Sequence, residues 1–343
     1  MNHATTHAEQ TSWATSRRGF LGLALGASAT GLLAACSGGG GSSDTVRIIN
    51  TSATGAVALN HMLSSGKYFE KFGVNAQISN LTSGNQIVAA LASGSADITI
   101  LSGLVGILPG IEQGMDLKVL GGTQVVSTSA LFSGDPQIRT AADLGGKTLG
   151  TGAVGSELYE VFSALLTKYR IPRTDVTFRN IGSSAQSLQA ALAKQIDCGY
   201  GQVGDQPLAT QHGCRMIATV SQQLPLWMNN GAVASAKAIS SKRGSLVKVL
   251  AAYAQLFKDL TTSASKAPYV AAYIAAGGSQ AGGEAEWQYL YQNTAYSPTL
   301  DLPSDKVEFI QQQNVASGTQ KQVMAYNSYT DLTLRTAALA LVK

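Results

Sequence analysis

Charge is sparse in these 343 residues: Asp, Glu, Lys and Arg make up 13%, and 24 basic against 20 acidic side chains leave a net charge of only +4. No lysine or arginine cluster stands out, which excludes a nucleic-acid surface built on phosphate contacts. Histidine is scarcer still, and beyond the first few residues only His61 and His212 remain. Neither has companions at metal-ligand spacing, His212-Gly213-Cys214 included, and no Gly-x-Ser-x-Gly elbow offers a nucleophile. Neither a metal nor a cofactor is therefore expected. Past the first 35 residues, no apolar run is long enough to cross a bilayer. Cysteine occurs three times, at Cys36, Cys198 and Cys214. For the last two, a disulfide and a pair of buried thiols are equally open, because an exported chain meets an oxidising space.

What is present begins with an address. Ser16-Arg17-Arg18-Gly19-Phe20-Leu21 is a twin-arginine export motif, followed by an apolar Gly/Ala-rich run from Leu21 to Ala35. The run ends in Leu33-Ala34-Ala35-Cys36, which matches a bacterial lipobox, so lipidation is expected at Cys36. Residues 1–35 thus read as a signal peptide and 36–44, with four consecutive glycines, as a flexible tether. The expected location is outside the cytoplasm, lipid-anchored to the outer face of the cell membrane or within a periplasm.

About 300 residues follow, more than one typical domain. Short apolar segments alternate with amphipathic ones, predicting an α/β fold of mainly parallel sheets flanked by helices. Expected strands are Val46–Asn50, Ala76–Leu81, Asp97–Leu101, Lys118–Gly121, Lys147–Gly150, Val176–Ile181, Asp197–Gly201 and Met216–Val220, with a returning strand in Leu226–Ser235. Ser156 is a plausible N-cap for the helix carrying Leu158, Phe162, Leu165, Leu166 and Tyr169. From about Ser241 onward the pattern is helical, with Leu246, Val249, Leu250, Tyr253, Leu256 and Phe257 on one stripe.

One internal repeat sharpens the picture. Leu81-Thr82-Ser83-Gly84-Asn85-Gln86 leads into Ala89-Ala90-Leu91-Ala92 and closes at Asp97. A hundred residues on, Ile181-Gly182-Ser183-Ser184-Ala185-Gln186 leads into Ala190-Ala191-Leu192-Ala193 and closes at Asp197. Two copies of one strand–turn–helix unit predict two similar lobes. Ligands of open α/β sheets bind beyond the carboxyl ends of the strands, so both Ser/Gly turns are expected to line a cleft.

Three stretches then carry a resemblance: Gly66-Lys67-Tyr68-Phe69-Glu70-Lys71-Phe72-Gly73-Val74, Ala90-Leu91-Ala92-Ser93-Gly94-Ser95-Ala96-Asp97-Ile98, and Asp143-Leu144-Gly145-Gly146-Lys147-Thr148-Leu149-Gly150. In this order they resemble the nitrate/sulfonate/taurine-type, thiamine-precursor-like solute-binding proteins of the periplasmic-binding-protein type II fold. The resemblance implies one lobe from 45–127 plus 228–343 and another from 128–227. They would be joined by crossovers near Gln124–Ser129 and Leu226–Ser235. It implies a monomeric receptor that closes over a small organic solute, such as a sulfonate or an aromatic or heterocyclic acid. That receptor would dock on an ABC permease with its ATPase subunits. Within the first stretch, Gly66 is expected to end a helix with φ > 0 and Gly73 to turn into the next strand.

A receptor performs no chemistry, so its ligand groups are sought at helix N-termini and strand ends, where free N–H groups gather. In the first lobe these are Thr51, Ser52 and Thr54, then Ser83 and Asn85, then Ser102. In the second they are Thr151 and Ser156, Ser183 and Ser184, and Gln202. Each can equally be a turn or cap residue. Asp205, before Pro207, would hold a ligand amine or cap the next helix. Trp227 at the second crossover would stack on ligand or fill the core. No Arg or Lys lies in these turns. A rival reading comes from Gly150-Thr151-Gly152-Ala153-Val154-Gly155, which fits G-x-G-x-x-G with Asp175 some twenty residues on. That would suit a twin-arginine-exported, dinucleotide-dependent oxidoreductase, except that Asp175 precedes its strand instead of ending it.

Overall fold

Alternating apolar segments fold into two sheets of equivalent order. The computed structural model describes residues 45–343, which belong to one compact unit. The signal peptide, the tether and Cys36 lie outside the described residues. The strands are β1 (Val46–Thr51), β2 (Ala76–Leu81), β3 (Ile98–Thr99), β4 (Leu117–Gln124), β5 (Ser129–Ser133), β6 (Thr148–Thr151), β7 (Thr177–Asn180), β8 (Gly199–Gln202), β9 (Arg215–Thr219) and β10 (Asn230–Ser235).

The first sheet has the order β2-β1-β3-β10-β4. β1 runs parallel to β2 and β3, while β10 is antiparallel to β3 and β4. In the second half β8-β5-β9 is antiparallel and β6-β7 parallel. A parallel bridge from Leu149 to Cys198 and a Gly150 N–H bond to the Cys198 carbonyl at 2.9 Å join the two pieces. The resulting order, β7-β6-β8-β5-β9, repeats that of the first sheet. In each, the single antiparallel strand is the one the chain enters on leaving the other sheet: β5 follows β4 into the second sheet and β10 follows β9 into the first. The sheets are therefore mixed, and β5 is a strand that the sequence pattern does not single out. Five buried residues, Ser-Ala-Leu-Phe-Ser, give it no alternation to read.

Helices cover both sheets. The stripe Leu246, Val249, Leu250, Tyr253, Leu256 and Phe257 is buried on helix Ala236–Leu260, against one face of the first sheet. The opposite face shares its core with the second half: Ile49, Val119 and Val233 belong to the same apolar cluster as Leu131, Phe162, Leu165 and Trp227. Helix Ser304–Ser317 seals this region, packing on both Leu104–Glu112 and Glu157–Lys168. Burying each such side chain contributes about 1.5–3 kcal/mol.

Two local expectations change. Gly66 has φ −82°. It is needed for a different reason: a Cβ there would overlap the Tyr68 ring. The left-handed residue is Lys67 at φ 54°, while Gly73 at φ 60° makes the expected turn. Cys198 and Cys214 are both free and buried, so the pairing left open by the sequence is not made. Their thiols turn to different backbone carbonyls, Gly199 for the first and Ala191 for the second.

Candidate functional site

The repeat places its turns equivalently. Ser52 N–H bonds the Leu81 carbonyl at 2.9 Å, joining the ends of β1 and β2, and Ile181 N–H bonds the Thr151 carbonyl at 2.7 Å, joining β6 and β7. In the second turn Ser183 is the N-cap of helix Ser184–Leu192: its Oγ accepts from Gln186 N–H, and Gln186 Oε1 accepts from Ser183 N–H. Ser184 is the first helical residue, so the cap falls one position earlier. Ser83 holds the matching position before helix Gly84–Ser93 with no side-chain cap bond, and Asn85 is exposed. No hydrogen bond links the Ser83 turn to the Ser183 turn among the described residues.

The other candidates divide between architecture and seam. Thr51 and Thr54 are half-buried and Ser52 exposed, all at the end of β1. Ser102 is buried, and its carbonyl accepts Gly231 N–H at 3.3 Å. Thr151 is buried with its hydroxyl on the Arg179 carbonyl. Ser156 caps helix Glu157–Lys168 through Tyr159 N–H. Asp205 does not cap the helix that follows. Its Oδ2 reaches back to accept Gln202 N–H at 2.7 Å. Trp227 is buried in the shared core, edge-on to Phe309.

The Gly150–Gly155 loop serves packing. A Cβ on Gly150 would meet Ser187 Oγ at 2.6 Å, so the glycine lets helix Ser184–Leu192 lie close on β6. Asp175 precedes β7, whereas the loop follows β6, its parallel neighbour. The acid and the glycines stand at opposite ends of the strands, roughly 13 Å apart along a four-residue strand.

Two hydrogen-bond relays, absent from the sequence reading, tie the crossovers together. Asn230 Nδ2 donates to Gln124 Oε1 at 2.7 Å, Gln124 Nε2 to Thr128 Oγ1 at 2.9 Å, and Thr128 Oγ1 to Gln202 Oε1 at 2.8 Å. This first relay runs from β10 through the β4–β5 link to the end of β8. In the second, Asn229 Nδ2 donates to Ser129 Oγ at 3.2 Å, and Ser129 Oγ to Glu157 Oε1 at 3.3 Å. The Tyr200 hydroxyl donates to the same Glu157 oxygen at 2.7 Å. Burial pushes the Glu157 carboxyl up against the opposing hydrogen bonds from Tyr200, Ser129 and Trp227. A faint signal existed: Gln124, Thr128, Asn229 and Asn230 are amides and a hydroxyl at the ends of apolar strands.

Two further acids lie where the halves of the chain meet. Glu160, on helix Glu157–Lys168, is fully buried with neither carboxyl oxygen in a hydrogen bond of good geometry, and burial pushes its pKa up to about 7 against the nearby Ser317 hydroxyl and Gly155 N–H. Glu286, on helix Gln280–Asn293, is 3% exposed, and its Oε2 has no partner. Burial, reinforced by the Asp205 charge, pushes it up to about 8 against the Tyr269 and Tyr273 hydroxyls. Its helix packs on the Val203–Asp205 turn after β8. Neither acid carries a sequence signal, since each sits on an ordinary helical pattern. Among the described residues no cluster of three or more His, Cys, Asp or Glu could hold a metal ion, and no helix is long and apolar enough to cross a membrane.

The architecture has known counterparts. The alkanesulfonate-binding protein SsuA from Xanthomonas axonopodis pv. citri, bound to MOPS, superposes with a TM-score of 0.66 at 18% identity, covering 88% of this chain and 98% of that one. The periplasmic aliphatic sulphonate binding protein SsuA from Escherichia coli gives 0.67 at 16% identity, over 85% of this chain and 99% of that one. The desulfurization enzyme DszB gives 0.60 at 14% identity, over 87% of this chain and 99% of that one. At such identities the likeness establishes the fold, which binding proteins and an enzyme share. No curated protein matches the sequence. The family model described as NMT1/THI5 like matches residues 64–263, more than half of the sequence, and the chain belongs to that family.

Proposed function

We propose that the chain is the extracytoplasmic solute-binding receptor of an ABC importer, in which lobes 45–127 plus 228–343 and 128–227 close over a small organic solute. The observation that carries this reading is the pair of sheets of equal order, connected by two crossovers, each of which delivers the sheet's one antiparallel strand. Only two links, after β4 and before β10, then need to flex for the halves to part, and the relays through Gln124 and Ser129 give that hinge a defined geometry. The twin-arginine motif and the lipobox at Cys36 support export and a lipid anchor, which would hold a monomer beside its permease.

A binding role, without turnover, is favoured over the enzymes that share the fold. Both described cysteines are buried, and burial raises both thiols, the opposite of an activated nucleophile. The dinucleotide reading loses its ribose-binding acid, because Asp175 stands at the wrong end of its strand. A thermal-shift panel of sulfonates, aromatic carboxylates, pyrimidines and amines tests the receptor role. A ligand should raise the Tm with RT ln(1 + [L]/Kd), and formation of product from any of them would sink it. Cys36→Ser should release the protein from membranes, and continued sedimentation with them would refute the anchor.

A further inference from the structure

We propose that the seam between Gly55 and Gly204 is a subsite for a cationic nitrogen group, an ammonium, guanidinium or amidinium, and that Glu286 anchors it and excludes anionic solutes. This rests on the receptor reading and narrows its solute class.

Helix Thr54–Ser65 starts directly after β1, with Ala53 at the N-cap and no side-chain cap bond. A helix start of this kind has free N–H groups and a positive dipole end, the natural seat for an anion. Here the protein's own Glu286 carboxyl lies beside it. A Cβ on Gly55 would overlap Glu286 Oε1, and the same Cβ would stand 3.4 Å from the Tyr269 hydroxyl. From the other half of the chain Gly204 closes in, where a Cβ would lie 2.6 Å from Glu286 Oε2 and 2.6 Å from the Tyr273 hydroxyl. The carboxyl group thus reaches across the seam between the first helix of one sheet and the post-β8 turn of the other.

What surrounds it points to one ligand chemistry. The groups acting on Glu286 are Asp205 from the turn and Tyr269 and Tyr273 from helix Lys266–Ala275, with Tyr296 feeling its charge in turn. No lysine or arginine is among them. Asp205 is itself pushed up by burial, opposed by Gln202 N–H. The Tyr269 and Tyr273 hydroxyls face the Glu286 carboxyl, yet Glu286 Oε2 and the fully buried Tyr269 hydroxyl complete no hydrogen bond of good geometry. Two carboxyls, Glu286 and Asp205, thus share a buried setting with three phenols and no counter-charge. A sulfonate placed there would find no cation to pair with, whereas a cationic N–H donor would satisfy both carboxyls and let them ionise. Asp205 was already a candidate for a ligand amine from its position after a strand. Glu286, the stronger partner, comes from a helix eighty residues further along.

Calorimetric titration and thermal shift of the purified protein with agmatine, benzamidine and butylamine, against butanesulfonate, ethanesulfonate and benzoate, test the assignment. At least one cation should bind saturably and none of the anions should. Affinity for that cation should tighten from pH 6 to pH 9, with proton release on binding, as Glu286 is ionised. Glu286→Gln should weaken it at least tenfold, and Asp205→Asn should do so by a smaller factor if Glu286→Gln fails to fold. Binding of any of the three anions by the wild type would overturn the cationic subsite and leave the receptor role standing. A cation bound equally well by wild type and by either folded variant, or no response to any cation, would overturn it too. Turnover of a probe would instead overturn the receptor role.

Discussion

Asp97 and Asp197 stand in the same relationship to their two sheets. Asp97 Oδ2 accepts the N–H of Arg47 in β1 at 2.8 Å, and Asp197 Oδ2 accepts the N–H of Thr148 in β6 at 2.7 Å. The return bonds also match, from Asp97 N–H to the Arg47 carbonyl at 2.8 Å and from Asp197 N–H to the Thr148 carbonyl at 3.0 Å. Each aspartate therefore locks the entry of the third strand onto the start of the first. The repeat visible in the sequence is a repeat of function within the fold.

The two positions should differ in cost. Asp97 is 4% exposed and also pairs with Arg47 and Lys242, each at 2.7–2.8 Å, whereas Asp197 is only half-buried. Asp97→Asn is expected to lose about 3 kcal/mol, discounted for the exposed Arg47 head, and Asp197→Asn about 1–2 kcal/mol. Urea unfolding measures both, and equal losses would contradict the ranking. Burial works to raise the Asp97 carboxyl, but the hydrogen bonds from Arg47 and Lys242 win and hold it below its ordinary 3.8. Its contribution is therefore present above that value and is lost as pH falls further.

The relay through Gln124 should be sensitive to a nearly isosteric change. Gln124→Leu removes the acceptor of Asn230 Nδ2 and the donor to Thr128 Oγ1. Leaving a buried amide unsatisfied costs about 1–3 kcal/mol. The expected signature is loss of stability together with altered ligand affinity, read by unfolding and titration of the same variant. A loss of stability with affinity unchanged would make the relay purely structural.

Stability should fall as pH rises through the range in which the buried acids lose their protons. Glu286 and Glu160 keep their protons to about 8 and about 7 in the folded chain, against an ordinary 4.5. Between those values the folded state binds more protons than the unfolded one, so unfolding free energy decreases with pH. The contribution is complete below 4.5 and lost through pH 7–8. Urea midpoints from pH 5 to pH 9 should decline in the wild type and flatten in a Glu160→Gln, Glu286→Gln double variant. Parallel profiles would mean that neither carboxyl is protonated in the fold.

At the turn of the second repeat, the cap is Ser183. Ser183→Ala should cost about 1 kcal/mol, and Ser184→Ala less than about 0.5. Ser83→Ala should also be nearly neutral to stability, because its hydroxyl makes no cap bond. Thermal melts of the three variants rank them, and a larger loss from Ser184 than from Ser183 would reverse the assignment.

Much of this was determined locally. Alternation, caps and a repeated turn are short-range properties of the chain, so β2, the cap at Ser156, the stripe on helix Ala236–Leu260 and the equivalence of the Asp97 and Asp197 turns could be read from residue order. What the sequence could not decide depends on meetings between segments far apart. β5 carries no alternation because both its faces are covered by helices and strands from elsewhere. Cys198 and Cys214 could pair or not until packing turned their thiols to different carbonyls. Glu286 looks like any acid on an amphipathic helix. Only tertiary structure removes it from water, between Gly55 and Gly204, with no counter-charge beside it. Desolvation and charge pairing depend on what lies within a few ångströms in space, and no local pattern along the chain encodes that distance.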